Sequence, residues 1–332
     1  MNTQTDHKII LVTRPTRLAE LVARFNTVSQ ARFYIEHQGA DFSDYQLDDE
    51  IYHQALVETQ DILGQFGRIQ LLHRSFLPNF VFGPKDFVVT LGQDGLVANT
   101  LKYLDGQPVI GVNPDPKRWD GRLLPFQVRD LKKVMKEVLS HKRSTCSISM
   151  AKATMNNGQT LYGVNDLFCG PKTHGSARYV LHWGNMSESQ SSSGIIISTG
   201  LGSSGWLRSL ISGATAIARS ANSVLDLRSP TVRQSAPIKS SSNAMDDNIL
   251  QTEFAWNAQH LVFTVREPFP SRTTGTSVVL GRITRNSPLR LESHIAENGV
   301  IFSDGLEQDF LEFNSGSQAV INLAEKQGIL VV

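Results

Sequence analysis

The sequence predicts an α/β domain followed by a mostly β domain, and three observations carry that reading. Short apolar runs alternate with helix-spaced stripes as far as Ser140. From Ser144 onward the apolar residues change to a period of two. Within the first of these stretches, a strand, a two-glycine turn and a helix follow one another without a gap from Asp86 to Leu104. Alternating strands and helices argue an open parallel, Rossmann-like sheet, in which ligands sit beyond the carboxyl ends of the strands.

Taken in order, Lys8 to Val12 reads as a strand, and Leu18, Leu21, Val22 and Phe25 keep helical spacing after Thr13-Arg14-Pro15. Arg14 and Arg17 flank that turn, either as phosphate contacts or as solvated arginines. The stretch through Gly39-Ala40-Asp41-Phe42 has no clear period and reads as an excursion or lid. Tyr52, Leu56, Thr59, Leu63 and Phe66 restore a helix, and Arg68 to Leu72 reads as a second strand. Phe87 to Leu91 is a β-branched run suited to a strand buried on both faces. Val97, Leu101 and Leu104 then form one helical stripe. Val109 to Val112 is a further short strand ending in Asn113-Pro114-Asp115-Pro116, and a helix from Gln127 to His141 closes the unit with Lys132, Lys133 and Lys136 outward.

A domain boundary is expected between 142 and 143, giving an α/β domain over 1–142 and a β-rich domain over 143–332. Cys146, Ile148 and Met150 alternate with serines, as in a strand with one face in water. Further strands are expected at Tyr179–Trp183, Ile195–Ser198, Leu261–Arg266, Val278–Leu280, Leu289–Ile295, Val300–Phe302 and Ala319–Leu323. One helix interrupts them, with Leu207, Leu210, Ile211, Ala214, Ile217 and Ala218 as its stripe. Ser220 to Asn248, rich in Ser, Asn and Asp, reads as a long flexible connection.

The chain has 332 residues and 40% hydrophobic content, enough for two cores. A net charge of +1 recommends neither nucleic acid nor an anionic membrane as partner. No apolar run approaches a membrane span, and Met1 to Lys8 lacks the character of a secretory or transit segment, so a cytoplasmic protein is expected. Cys146 and Cys169 read as two reduced thiols. His174, His182 and His294 have no ligand spacing, and no protein metal site is predicted.

Two glycine-rich turns carry the candidate chemistry. Gly92-Gln93-Asp94-Gly95 leads from strand to helix, where backbone N–H groups can approach a phosphate. A carboxylate there can accept a hydroxyl proton or help hold Mg²⁺; capping of the helix by Asp94 is the alternative. The second turn, Gly200 to Gly205, adds the hydroxyls of Thr199, Ser203 and Ser204. Two such turns suit a ligand with phosphates and ribose hydroxyls. Asn165-Asp166 could bind ribose hydroxyls or an adenine edge, or form an ordinary Asx turn. Ser303-Asp304-Gly305 reads as a hairpin turn.

The order of these motifs resembles the NAD kinase family. Gly92-Gln93-Asp94-Gly95, Asn165-Asp166 and Ser198 to Trp206 are similar to its Gly-Gly-Asp-Gly, Asn-Glu and Thr-x-Thr-Gly-Ser-x-Ala-Tyr/Trp motifs. Thr13 to Arg17, Pro108 to Pro116, Ser192-Ser193-Gly194, Arg266-Glu267-Pro268 and Asp304-Gly305 add similarities, closest to the branch of the mitochondrial-type enzyme of animals. The resemblance implies a two-domain NAD kinase-like fold with the active site between the domains, and a homodimer or homotetramer. It also implies phosphoryl transfer from ATP, with Mg²⁺, to the 2′-hydroxyl of the adenosine ribose of NAD, giving NADP. By position Asp94 is then the general base, Gly92, Gln93 and Gly95 shape the phosphate-side turn, and Asn113 lies at the same sheet end. Asn165 and Asp166 bind the ribose and adenine region, and Thr199, Gly202, Ser203 and Ser204 line that pocket. Trp206 takes the family's aromatic position.

Four positions depart from the family pattern: Gln93 replaces a glycine, Leu96 a threonine, Asp166 a glutamate and Leu201 a threonine. Two alternatives accompany the kinase reading. One is a lipid or sphingoid-base type of kinase, which shares the Gly-Gly-Asp-Gly turn; the other is a non-catalytic NAD(P)-binding protein in which Gln93 blocks the donor.

Overall fold

The structure, a computed structural model, describes residues 7–224 and 252–332. The chain forms two compact units, Met1–Met150 with Ala324–Val332, and Ala151–Leu323.

The first unit opens with β1 (Lys8–Thr13), whose Ile9 to Val12 are all buried, as expected of a strand covered on both faces. Thr16 caps α1 (Arg17–Phe25) by accepting the Ala19 N–H at 3.1 Å. The expected excursion is instead α2 (Val28–His37), capped by Thr27 and burying only Ala31 and Ile35. These two residues, four apart, dock on Leu18 and Phe42 and so hold the helix in place. The long α3 (Ser43–Leu63) follows, then β2 (Arg68–His73), β3 (Phe87–Leu91) and α4 (Asp94–Leu101). Next come β4 (Pro108–Asn113), the two-residue β5 (Phe126–Gln127), α5 (Leu131–Leu139) and β6 (Thr145–Met155). The helix expected from Gln127 thus begins later, because Gln127 pairs with Asn113 in the sheet and Val128–Asp130 form a 3-10 turn.

All pairings among β1 to β5 are parallel, in the order β2-β1-β3-β4. The chain moves from β1 to one side for β2 and to the other for β3. The ends of β1 and β3 therefore form the topological switch point, where open α/β sheets bind ligands.

In the second unit, β7 (Thr160–Gly163), β8 (Asp166–Pro171), β9 (Ala177–Trp183), β10 (Met186–Ser192) and β11 (Ile195–Ser198) precede α6 (Trp206–Val224). After it come β12 (Leu261–Val265), β13 (Leu280–Ile283), β14 (Leu289–Ser293), β15 (Gly299–Ser303), β16 (Leu306–Glu312) and β17 (Gln318–Val331). One antiparallel sheet runs β13-β12-β11-β8-β15-β16, and β10-β9-β14 with the start of β17 forms another. Side chains such as Leu167, Ile197, Phe263, Leu181 and Leu289 fill the core they share.

Several expectations change here. The strand expected at Val278–Leu280 lies at Leu280–Ile283, and β6 has no wet face at Ser149, which is buried between Ile148 and Met150. The connection expected from Ser220 is helical through Val224, and its remainder lies outside the described residues. Among the described residues no helix is long and apolar enough to cross a membrane. Both cysteines are free thiols, and burial pushes that of Cys169 up.

Candidate functional site

The first unit builds its site at the switch point. The Gly92 N–H donates to the Val112 carbonyl at 3.2 Å, drawing the turn after β3 against β4. Gln93 takes the N-cap position with φ −113° and ψ 165°, an extended backbone open to any residue, so the replacement of glycine there is unstrained. Its side-chain amide has no hydrogen-bond partner among the described residues. Gly92 is different, because a Cβ there would lie 2.9 Å from Leu96 Cδ2. Leu96, where the resembled family has threonine, packs its buried side chain into that gap. Gly95 is exposed with nothing within 4 Å of a would-be Cβ.

Asp94 is the first residue of α4 and does not cap it. Its Oδ1 accepts the Leu123 N–H at 2.6 Å, and Oδ2 has no hydrogen-bond partner among the described residues. Leu123 can lean over β4 because Gly111 has no side chain; a Cβ there would stand 2.0 Å from the Leu123 carbonyl oxygen. One carboxylate oxygen is thereby held while the other is left open. Asn113 is buried and fully engaged, accepting the Asp115 N–H at 3.0 Å and donating to the Trp119 carbonyl at 2.9 Å. It shapes the loop that returns to Leu123.

An arginine–carboxylate network joins the start of α1, the first turns of α3 and the loop after β4. Arg17 and Arg118 converge on Asp44 at 2.7 and 2.6 Å, which holds the Asp44 carboxyl well below the usual carboxylate range. Asp48, on α3, is buried with Arg17 3.4 Å away. Arg118 and Arg14 each approach Asp48 only to 4.0 Å. The sequence left Arg17 open between phosphate contact and solvated surface; it is an ion-paired brace.

The second unit builds a separate cluster from two of the sequence motifs. Asp304 and Gly305 adopt positive φ of 53° and 71°, the conformation of a tight hairpin turn. That turn also clamps β8, since the Asp304 carboxylate accepts N–H groups from Val164 (3.0 Å), Asn165 (2.6 Å) and Asp166 (3.2 Å). Sequence reasoning saw only the turn, because the target of its carboxylate is 140 positions away in the chain for Val164. Asn165 keeps a side-chain amide without a partner among the described residues.

The glycine turn after β11 packs onto this clamp. The Thr199 N–H donates to the Asn165 carbonyl at 2.9 Å, and the Thr199 hydroxyl donates to the Val164 carbonyl at 2.5 Å. A Cβ on Gly202 would lie 2.2 Å from the Asn165 oxygen and 2.8 Å from Asp166 Oδ1. Ser203 is buried, donating to the Gly200 carbonyl at 2.7 Å and accepting the Phe254 N–H at 3.2 Å. Thr199 and Ser203 therefore build the turn, while Ser204 stays half-buried at its rim. Asp166 is half-buried, but its Oδ1 carries no exposed surface and no hydrogen bond among the described residues. Burial pushes its carboxyl up to about 7; the Ser198 hydroxyl opposite it on β11 opposes the rise and the Asp304 carboxylate adds to it. The Ser198 hydroxyl makes no hydrogen bond of good geometry among the described residues.

Phe168, two residues beyond Asp166, and Trp206, directly after Gly205, stack with centroids 5.8 Å apart. The Arg266 guanidinium lies 5.5 Å over Trp206 and 5.9 Å over Phe168. Trp206 is thus part of an aromatic shelf, and Arg266 is a member that the sequence showed only as a motif match. Among the described residues no group of three His, Cys, Asp or Glu could hold a metal.

A parallel sheet with a glycine turn and carboxylate at its switch point, followed in the chain by a unit of antiparallel sheets, is a two-unit α/β-plus-β architecture. No family model and no curated protein matches the sequence. By structure the chain is similar to an NAD kinase from Archaeoglobus fulgidus in complex with ATP, with a TM-score of 0.54 and 13% identity over 98% of this chain and 93% of that one. It is also similar to yeast NADH kinase complexed with NADH, with a TM-score of 0.54 and 15% identity over 99% of this chain and 84% of that one. The fold is that of the NAD kinases.

Proposed function

We propose that the protein is an NAD kinase-like phosphotransferase that moves the terminal phosphoryl group of ATP to the 2′-hydroxyl of the adenosine ribose of NAD. The observation that carries this reading is Asp94, at the switch point, with Oδ1 fixed by the Leu123 N–H and Oδ2 open. The open oxygen suits a general base. It would take the hydroxyl proton as the new O–P bond forms and the bond to ADP breaks, while the protein supplies position more than covalent chemistry. The Asn165 side-chain amide, without a partner among the described residues, and the half-buried Asp166 carboxylate would read the ribose. The two solved NAD(H) kinases of this fold, one with ATP and one with NADH, support the choice of substrates.

Mg²⁺ would enter such a site as a companion of the donor, held chiefly by the substrate phosphates, because the one open oxygen of Asp94 is kept for the hydroxyl proton. When bound, it neutralises charge on the transferring phosphoryl group. The family-branch likeness, the homo-oligomer and the donor-side role of Gln93 belong to this same reading.

The test is NADP formation by the purified protein with NAD, ATP and Mg²⁺, beside Asp94→Asn. The variant keeps an oxygen for the Leu123 N–H, so its fold should hold while turnover falls by about 10²- to 10⁴-fold. Turnover unchanged in Asp94→Asn would remove the base, and no NADP from the wild type would remove the acceptor.

A further inference from the structure

The β1–α1 turn holds a cation that the ion-pair network leaves incomplete. The Arg14 side chain is only 6% exposed, yet its Nε, a buried donor, has no hydrogen-bond partner among the described residues. The rest of the guanidinium is fixed: Nη1 donates to the Pro15 carbonyl at 2.9 Å, Nη2 lies 4.0 Å from Asp48, and the plane sits 5.1 Å over the Tyr52 ring. Tyr52 ties the same place together, accepting the Arg14 N–H and donating to the Leu91 carbonyl, each at 3.1 Å. The end of β1 is thus locked to the end of β3.

The place of the orphaned donor follows from Gly92. A Cβ there would lie 3.5 Å from Arg14 Nε and 3.4 Å from Cδ, so this part of the side chain runs beside the glycine turn that opens α4. The β1–β3 register, with Val12 opposite Thr90, places Arg14 opposite Gly92 one pair beyond the strands. Nearby arginines are spoken for: Arg17 and Arg118 face Asp44 at hydrogen-bond distance, and Asp115 takes a further contact from Arg118 at 3.4 Å. An unmade hydrogen bond at a buried guanidinium is costly, and here it lies beside Gly92, a turn position without a side chain, next to the N-terminus of α4.

We propose that Arg14 is an anion-binding residue whose Nε–H donates to a phosphate oxygen of a polyphosphate chain seated on the Gly92–Gly95 turn. The site takes a nucleoside triphosphate, and its assignment as the phosphoryl donor rests on the phosphotransferase reading. Arg14 supplies the anchor at a turn whose second position is glutamine. A lysine in its place keeps the charge beside Asp48 and Tyr52 but has no donor at the Nε position.

The experiment is calorimetric titration of inorganic triphosphate and of ATP into the full chain, as wild type, Arg14→Lys and Arg74→Gln. Arg74 is half-exposed and paired with Glu20 at 3.0 Å, so its loss reports a general charge effect. Arg14→Lys should weaken both ligands by about tenfold to a hundredfold, as expected for one charge-assisted hydrogen bond, with NAD affinity unchanged and Arg74→Gln close to wild type. In parallel, the Arg14 Nε–H resonance of the wild type should shift on adding triphosphate, a readout that decides the matter if Arg14→Lys fails to fold. A resonance that does not move, triphosphate affinity within twofold of wild type in Arg14→Lys, or no triphosphate binding by the wild type overturns the proposal. Triphosphate binding that depends on Arg14 without NADP formation keeps the anion site and removes the kinase. NADP formation with an unchanged KM for ATP in Arg14→Lys does the reverse.

Discussion

Asp166 is a carboxylate held where its charged form is disfavoured, and its environment comes from three places in the chain. Gly202 closes over Oδ1, Ser198 stands opposite on β11, and Asp304 brings a second carboxylate while clamping the backbone. With the folded-state pKa raised from 3.8 to about 7, the folded chain holds a proton that the unfolded chain releases. Stability from this group is fully present below the unfolded pKa and is lost as pH rises through the folded one. Asp166→Asn should therefore match wild type near pH 4 and exceed it near pH 8. The gap should reach roughly 1–3 kcal/mol, less than the full conversion of the shift because the residue keeps part of its surface. Urea unfolding at the two pH values reads it, and parallel curves would show that Asp166 is not held neutral. Asp166 and Asn165 were legible as a polar pair beside an apolar run, but the clamp was not. A hairpin aspartate looks alike whether its carboxylate meets water or three distant N–H groups.

At the scale of elements, the two glycine turns look alike in sequence and differ in construction. The turn before α4 leaves Gly95 open, whereas Gly202 is pressed against the Asn165 carbonyl. Gly95→Ala should fold well and even gain up to about 1 kcal/mol of helix propensity, so any loss it shows should be in ATP affinity alone. Gly202→Ala must move backbone, at a cost of about 1–3 kcal/mol, and should weaken NAD binding with ATP affinity kept. Thermal unfolding with paired titrations separates them, and equal behaviour of the two variants would contradict the packing described. The strand–turn–helix of β3 and α4 was legible because Phe87 to Leu91 and Val97 and Leu101 bury periodic apolar side chains. β10 was not, because its buried residues are Gln190, Ser191 and Ser192, polar groups satisfied by Tyr179, Val278 and neighbouring backbone. α2 escaped for a related reason, since two buried residues make too narrow a stripe to declare a helix.

For the whole molecule, the β17 strand serves both compact units, and its tail bears on the helix that carries Asp94. Its first residues pair with β14, Leu289 opposite Ile321, and its last pair in parallel with β4, Leu330 opposite Val109. Between them Lys326 Nζ donates to the Lys102 and Leu104 carbonyls at 2.7 and 3.0 Å, satisfying acceptors just past the end of α4. Gly328 passes close by, where a Cβ would lie 3.0 Å from Leu101 Cδ2. Leu330 and Val331 are buried, each contributing about 1.5–3 kcal/mol by removal from water. A chain shortened to end at Leu323 should therefore lose several kcal/mol from the first unit and leave the Pro108–Val109 end of β4 unpaired on that side. Hydrogen exchange reads this element by element: amides of β4 and α4 should lose protection, while those of β8, β11 and β12 keep theirs. Protection lost evenly over both units would mean that they unfold as one, and protection unchanged in α4 would separate the tail from the Asp94 helix. In the expected case turnover falls without any change at Asp94 itself, because the helix that aims its carboxylate is braced from the far end of the sequence.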